Sequence, residues 1–147
     1  MNLEELRSII CRCKYCGEYL KCEYLTYPNR PVIVLPTYGV IPHTLGSMLE
    51  VSGLNRFRPY ILPIVKCDIM ARDKTFKACS PFIRMEISIL QPLYIIVYGR
   101  EYERYLEGVT ALYIRNVESD PRGVPEVLSS LKELYKDVRD RKLSESS

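Results

Sequence analysis

The apolar positions of the chain change period as they pass from one segment to the next. Leu3–Ile10 carries apolar and charged side chains at helical spacing and predicts a first helix. Pro31-Val-Ile-Val-Leu-Pro36 is an all-apolar run between prolines and reads as a buried strand. Leu45, Met48, Leu49 and Ser52 recur at helical spacing, and Gly53 ends that helix. Tyr60–Val65 is a second apolar run, awkward for a strand because Pro63 has no N–H for a sheet ladder. Ser80-Pro81 has the form of an N-cap with proline at the first helical position. A helix is expected to begin there and to carry Phe82, Ile83, Glu86, Ile87, Ile89 and Leu90. Leu93–Tyr98 is β-branched and aromatic, the clearest strand, and Gly99 closes it. Arg100–Leu106 reads as a short helix and Thr110–Ile114 as a fourth strand. Pro125 opens a last helix with Val127, Leu131, Leu134 and Val138 on one face.

A leading helix followed by four apolar strands, each with its own helix, argues for a parallel sheet covered on both faces. The expected fold is a three-layer α/β/α sandwich with a four-stranded, mainly parallel central sheet. Residues 1–141 form one domain, and the polar segment 142–147 reads as a frayed tail. Ligands of such sheets bind beyond the carboxyl ends of the strands. Those ends are Leu35–Gly39, Val65–Asp68, Tyr98–Gly99 and Arg115–Asp120.

Composition narrows the class. The 147 residues are 47% hydrophobic and 27% charged, which excludes a disordered chain. No apolar run approaches the ~18–20 residues of a membrane span. Met1–Ile10 carries acids where a secretory signal would be basic, so a soluble, cytoplasmic protein is expected. The net charge is +3, but it is uneven: residues 1–80 hold 11 basic and 7 acidic side chains. Lys66, Arg72, Lys74 and Lys77, with Arg56 and Arg58 on the preceding turn, form a candidate phosphate-binding cluster. A solubilising surface is the plain alternative.

Six cysteines, Cys11, Cys13, Cys16, Cys22, Cys67 and Cys79, are many for a chain with no sign of secretion. Cys13-Lys-Tyr-Cys16 is a C-x2-C pair that lets two thiolates reach one metal. Cys67 ends the second strand and Cys79 precedes the next helix. Four thiolates from two loops suit a [4Fe–4S] cluster. A four-cysteine zinc site, including a local one from Cys11, Cys13, Cys16 and Cys22, fits the spacing as well.

A set of strings then appears in a fixed order: Ile10-Cys-Arg-Cys13-Lys-Tyr-Cys16, Leu45-Gly46-Ser-Met-Leu49, Val65-Lys66-Cys67, Cys79-Ser-Pro-Phe82, and Gln91-Pro92 with Val97-Tyr-Gly99-Arg100. From about Leu3 to about Leu106 the chain resembles the iron–sulfur (family 4) uracil-DNA glycosylases. The resemblance implies that Cys13, Cys16, Cys67 and Cys79 ligate a [4Fe–4S] cluster, and that DNA is a partner. Cys11 and Cys22 do not match the family's ligands, and the Cys67–Cys79 gap is shorter than usual.

The resemblance does not extend to the family's catalytic motifs. The loop after the first strand, Val34-Leu35-Pro36-Thr37-Tyr38-Gly39, keeps no carboxylate. The aromatic segment that stacks on uracil is missing from the short stretch between Gly39 and Leu45. Pro63 stands where the family reads the base edge with asparagine. After the fourth strand, Arg115-Asn116-Val117-Glu118 replaces a histidine-containing motif. His43, Tyr38, Asp68 and Asp73 read as loop residues rather than stand-ins. The expectation is an iron–sulfur protein without catalytic residues, acting as a DNA-binding or protein-interaction module linked to DNA repair or replication. The alternatives are a divergent active glycosylase that uses Asp68, Asn116 or His43, and a small zinc-stabilised interaction domain.

Overall fold

A computed structural model describes residues 2–11, 31–65 and 72–145. Its sheet holds four strands, β1 (Val32–Leu35), β2 (Tyr60–Ile61), β3 (Tyr94–Tyr98) and β4 (Leu112–Ile114), in the order β2-β1-β3-β4. Every pairing is parallel, with Ile33 opposite Tyr60 and Ile95, and Val97 opposite Tyr113. The helices are α1 (Leu3–Cys11), α2 (His43–Ser52), α3 (Asp73–Leu90) and α4 (Val124–Glu145). The helix of α4 thus includes 142–145, residues whose composition reads as tail.

Strand alternation sorts the core into two layers. Val32, Val34, Ile96 and Tyr98 point to one face, where Leu45, Met48 and Leu49 of α2 and Val127, Leu131, Leu134 and Val138 of α4 cover them. Ile33, Leu35, Ile95 and Val97 point to the other face, under Leu3 of α1 and Ile83 and Leu90 of α3. The expected α/β/α sandwich with a parallel four-stranded sheet is therefore what forms. Both faces of β1 and β3 are buried, which is why these strands read as continuous apolar runs instead of alternating ones.

Two local readings change. Pro63 lies beyond β2, on the edge of the sheet. Leu62 N–H donates to the Val34 carbonyl at 2.9 Å and Ile64 N–H to the Pro36 carbonyl at 2.9 Å. The residue between them faces away from β1, where a missing N–H costs the ladder nothing. Ser80-Pro81 is not a helix start. The helix α3 begins at Asp73, after Arg72 in extended conformation, and Pro81 lies inside it. Proline there leaves the Lys77 carbonyl without its i+4 donor. The Ser80 hydroxyl donates to that carbonyl at 3.2 Å. The pair that resembles a cap is thus a repaired gap in the middle of a helix.

Candidate functional site at the carboxyl edge of the sheet

The chain leaves β1 for α2 on one face and leaves β3 for a 3-10 helix, Arg100–Tyr105, on the other. The crevice between the carboxyl ends of β1 and β3 is the switch point of the sheet, the place where folds of this kind bind ligands. Here the chain's own side chains fill it from both sides.

On one side Gly99 has φ +134, and a Cβ there would meet the Tyr102 ring at 2.6 Å. Only glycine lets the chain turn so tightly that Tyr102 folds back over the strand ends. Its hydroxyl lies 2.6 Å from Thr37 Oγ1, a hydrogen bond that ties the loop after β1 to the turn after β3. Phe76 of α3 packs on Tyr102 and Tyr105, with ring centroids 5.0 and 5.2 Å away.

On the other side stands Glu118, in the loop after β4. Its carboxylate accepts from Thr44 N–H at 2.8 Å and Leu45 N–H at 3.1 Å, the first free donors of α2. It also accepts a short hydrogen bond from the Tyr98 hydroxyl. Tyr98 is buried at the end of β3, and its oxygen accepts from Val117 N–H at 3.0 Å. The residue before α2 is Pro42, whose side chain cannot cap. Glu118 does that work from across the fold and places its charge at the positive end of the helix. Burial alone would raise the Glu118 carboxyl. The hydrogen bonds from Tyr98 and the helix N–H groups outweigh it and hold the carboxyl below its ordinary range. The Tyr98 hydroxyl is pushed well above the usual phenol range, first by burial and then by the carboxylate it faces. A helix N-terminus is a ready anion site; in this chain an internal carboxylate occupies it.

The other candidate residues scatter. Leu35, Pro36 and Pro63 are buried, apolar and without a polar edge to offer a base. Asn116 Oδ1 accepts from Glu118 N–H at 3.0 Å and shapes the loop that carries Glu118. His43 is exposed at the first position of α2, and Tyr38 is 43% exposed in the loop after β1. Arg72, Lys74 and Lys77 are exposed together on the first turns of α3, at the same edge of the sheet. Asp73 is not a loop acid but the first residue of that helix. It pairs with Lys77 at 3.1 Å and Arg104 at 3.7 Å, and accepts from the Tyr105 hydroxyl at 2.5 Å. Those contacts, the Tyr105 bond foremost, lower its carboxyl pKa. Asp73, Lys77, Ser80, Arg104 and Tyr105 line an open cleft of about 320 Å³. Arg56 lies elsewhere, on the 3-10 turn Leu54–Phe57 that packs beside α4, where its guanidinium donates to the Tyr135 hydroxyl at 3.1 Å.

Of the four cysteines expected to bind metal, only Cys79 falls within the described residues. It is buried, 2% exposed, in the second turn of α3. Cys13, Cys16 and Cys67 lie outside the described residues, as do Lys66 and Asp68. The helix that leads into the first cysteine pair, α1, packs against α3, the helix that carries Cys79.

Arg104, Tyr105 and the Tyr98–Glu118 pair escape a linear reading. Tyr98 and Glu118 each stand at a strand's carboxyl end, which is a usable signal, but the partners of Glu118 lie 20 and 74 residues away in sequence.

The chain is similar to a uracil-DNA glycosylase. Over 127 aligned residues it is 27% identical to the Type-4 uracil-DNA glycosylase of Sulfurisphaera tokodaii. The alignment takes in 71% of this chain and 58% of that protein, so the chain spans little more than half of its relative's length. No protein-family model matches the chain. The parallel α/β fold agrees with that likeness. Among the described residues no helix is long and apolar enough to cross a membrane.

Proposed function

We propose that this chain is an iron–sulfur protein on a uracil-glycosylase-like scaffold, which binds nucleic acid but does not excise uracil. The observation that carries the reading is the filled carboxyl edge. A glycosylase must receive an extruded base there, hold its polar edge and stabilise developing charge. In this chain Glu118 and Tyr98 satisfy each other and the start of α2. Thr37 and Tyr102 close the other side, and Leu35, Pro36 and Pro63, following β1 and β2, are buried and apolar. A uracil placed against such side chains would leave its polar edge unpaired, at roughly 1–3 kcal/mol per group.

The cofactor reading rests on donor chemistry and on the likeness to an iron–sulfur glycosylase class. Cys13, Cys16, Cys67 and Cys79 would hold a [4Fe–4S] cluster, because thiolates are the ligands such clusters take. A buried Cys79 on a helix packed against α1 agrees with a site joining the two. The cluster's contribution here is a cross-link, one that ties the N-terminal segment to the sheet.

The nucleic-acid reading rests on Arg72, Lys74 and Lys77 at the same edge and on Arg104 across the cleft; Lys66, grouped with them in the sequence, lies outside the described residues. Phosphate contacts are sequence-blind and salt-dependent. Fluorescence anisotropy with a 20-base strand between 50 and 200 mM NaCl is expected to give equal affinity for uracil-containing and thymine-containing DNA. Replacing Arg72, Lys74 and Lys77 together by glutamine is expected to weaken binding by about tenfold or more and to lower the log–log salt slope by about 2. Binding that ignores these substitutions moves the partner of this edge to a protein.

A further inference from the structure

The structure carries a second concentration of positive charge, away from the carboxyl edge. In the last half of α4 most of the charged side chains sort into two stripes, with Arg141 falling on the acidic side, four residues after Asp137. Lys132, Lys136, Arg139 and Lys142 follow one another at spacings of four, three and three, so they run down one side of the helix. Glu133, Asp137 and Asp140 follow the same spacings one residue out of step and form a separate stripe. All seven side chains are exposed.

Tyr135 stands within the basic stripe and draws a further arginine to it. The guanidinium carbons of Arg139 and Arg56 lie 5.8 and 5.9 Å from the centre of its ring. Arg56 comes from the 3-10 turn Leu54–Phe57, just ahead of β2, and also donates to the Tyr135 hydroxyl at 3.1 Å. Phe57 supports the ring from the side, with centroids 5.7 Å apart. Two guanidinium groups are thus gathered at one aromatic ring, Arg56 through its bond to the Tyr135 hydroxyl, while Arg139 also donates to Asp140 from Nε and Nη2. The carboxylate nearest to Arg139 is its neighbour Asp140, at 3.3 Å, and both side chains are about half exposed or more, so that pair is weak.

We propose that this stripe, Arg56, Lys132, Lys136, Arg139 and Lys142 around Tyr135, binds the phosphate backbone of a nucleic acid. It is a face separate from the one at the carboxyl edge. The row from residue 132 to residue 142 is about 15 Å long, a little under half a turn of duplex. Cations that recur every three to four residues along one side of a helix suit a regular polyanion. A folded protein partner would ask instead for a buried aromatic or aliphatic anchor. The two faces lie toward opposite edges of the sheet, because α4 starts at the carboxyl end of β4 and runs back past the strands. One chain can therefore hold two strands, or two stretches of one strand.

The test is fluorescence anisotropy of the full chain with labelled dT20 and with a labelled 20-base-pair duplex, from 50 to 200 mM NaCl. The variant Lys132→Gln/Lys136→Gln/Arg139→Gln is compared with wild type. All three side chains are exposed, so the thermal melt is expected to stay within a few degrees. The affinity at 100 mM NaCl is expected to fall at least tenfold. The salt slope is expected to drop by about 2 on whichever of the two forms is bound. Lys132→Arg/Lys136→Arg keeps the charge and is expected to keep the affinity. Combining the glutamine variant with the glutamine variant of Arg72, Lys74 and Lys77 is expected to multiply the two losses. Unchanged affinity and slope in the α4 variant, or complete loss of binding from the carboxyl-edge variant alone, overturns the proposal.

Discussion

Cys13→Ser is expected to abolish the brown colour of the proposed cluster and to lower the melting temperature by roughly 10–15 °C. The proposed cluster, held by Cys13, Cys16, Cys67 and Cys79, would close a loop of about 50 residues between its two halves. In a chain-entropy account, closing a loop that long is worth about 4 kcal/mol. One kcal/mol corresponds to roughly 2–4 °C in a chain of this size. The same argument makes the effect specific. Cys22→Ser removes a thiol outside the ligand set and is expected to change neither colour nor melting. Visible absorption and a thermal melt on protein purified without oxygen check both statements. Colour that survives Cys13→Ser but disappears with Cys11→Ser or Cys22→Ser reassigns the ligands to the other N-terminal cysteines.

Glu118→Ala is expected to cost about 3 kcal/mol, or close to 10 °C in melting temperature. The alanine leaves Thr44 N–H, Leu45 N–H and the buried Tyr98 hydroxyl without their acceptor. It also takes the negative charge from the start of α2. Tyr98→Phe is expected to cost less, because the helix donors keep Glu118. The pH dependence has a definite sign. The Glu118 carboxyl is held below its ordinary 4.5, so its contribution is complete above that value and is lost as the pH falls through the lower folded value. Melts of wild type and Glu118→Gln between pH 7 and pH 3 are expected to converge at the acid end. A gap that is constant across that range contradicts the assigned role of the charge.

These two predictions rest on features of unequal legibility. Strands buried on both faces, such as Val32–Leu35, and helices with one buried stripe, such as α4, announce themselves through hydrophobic pattern, because burial is what sets the pattern. The parallel order of the sheet follows from the same alternation. Ser80-Pro81 misleads because a serine can repair a mid-helix proline with the same hydroxyl that would cap a helix. Pro63 is intelligible only once β2, the strand it follows, is known to lie at an edge. The Glu118–Tyr98–Thr44 network joins a loop, a strand end and a helix start, and no local pattern encodes a contact over 74 residues. Arg56 reads as part of the cluster around Lys66–Lys77 because it is near it in sequence. Folding sends it to Tyr135 instead, because the turn that carries it packs beside α4.

Loss of base excision with retention of nucleic-acid binding is the centre of the account, and a single-turnover excision assay meets it most directly. Protein purified without oxygen is incubated in excess over single-stranded and U·G-mismatched DNA, and abasic sites are then cleaved with alkali. The account predicts no strand cleavage above the protein-free control, under conditions where anisotropy shows the DNA to be bound. Cleavage that disappears in Asn116→Ala or Asp68→Ala would contradict it and make this chain a divergent glycosylase with a rebuilt site.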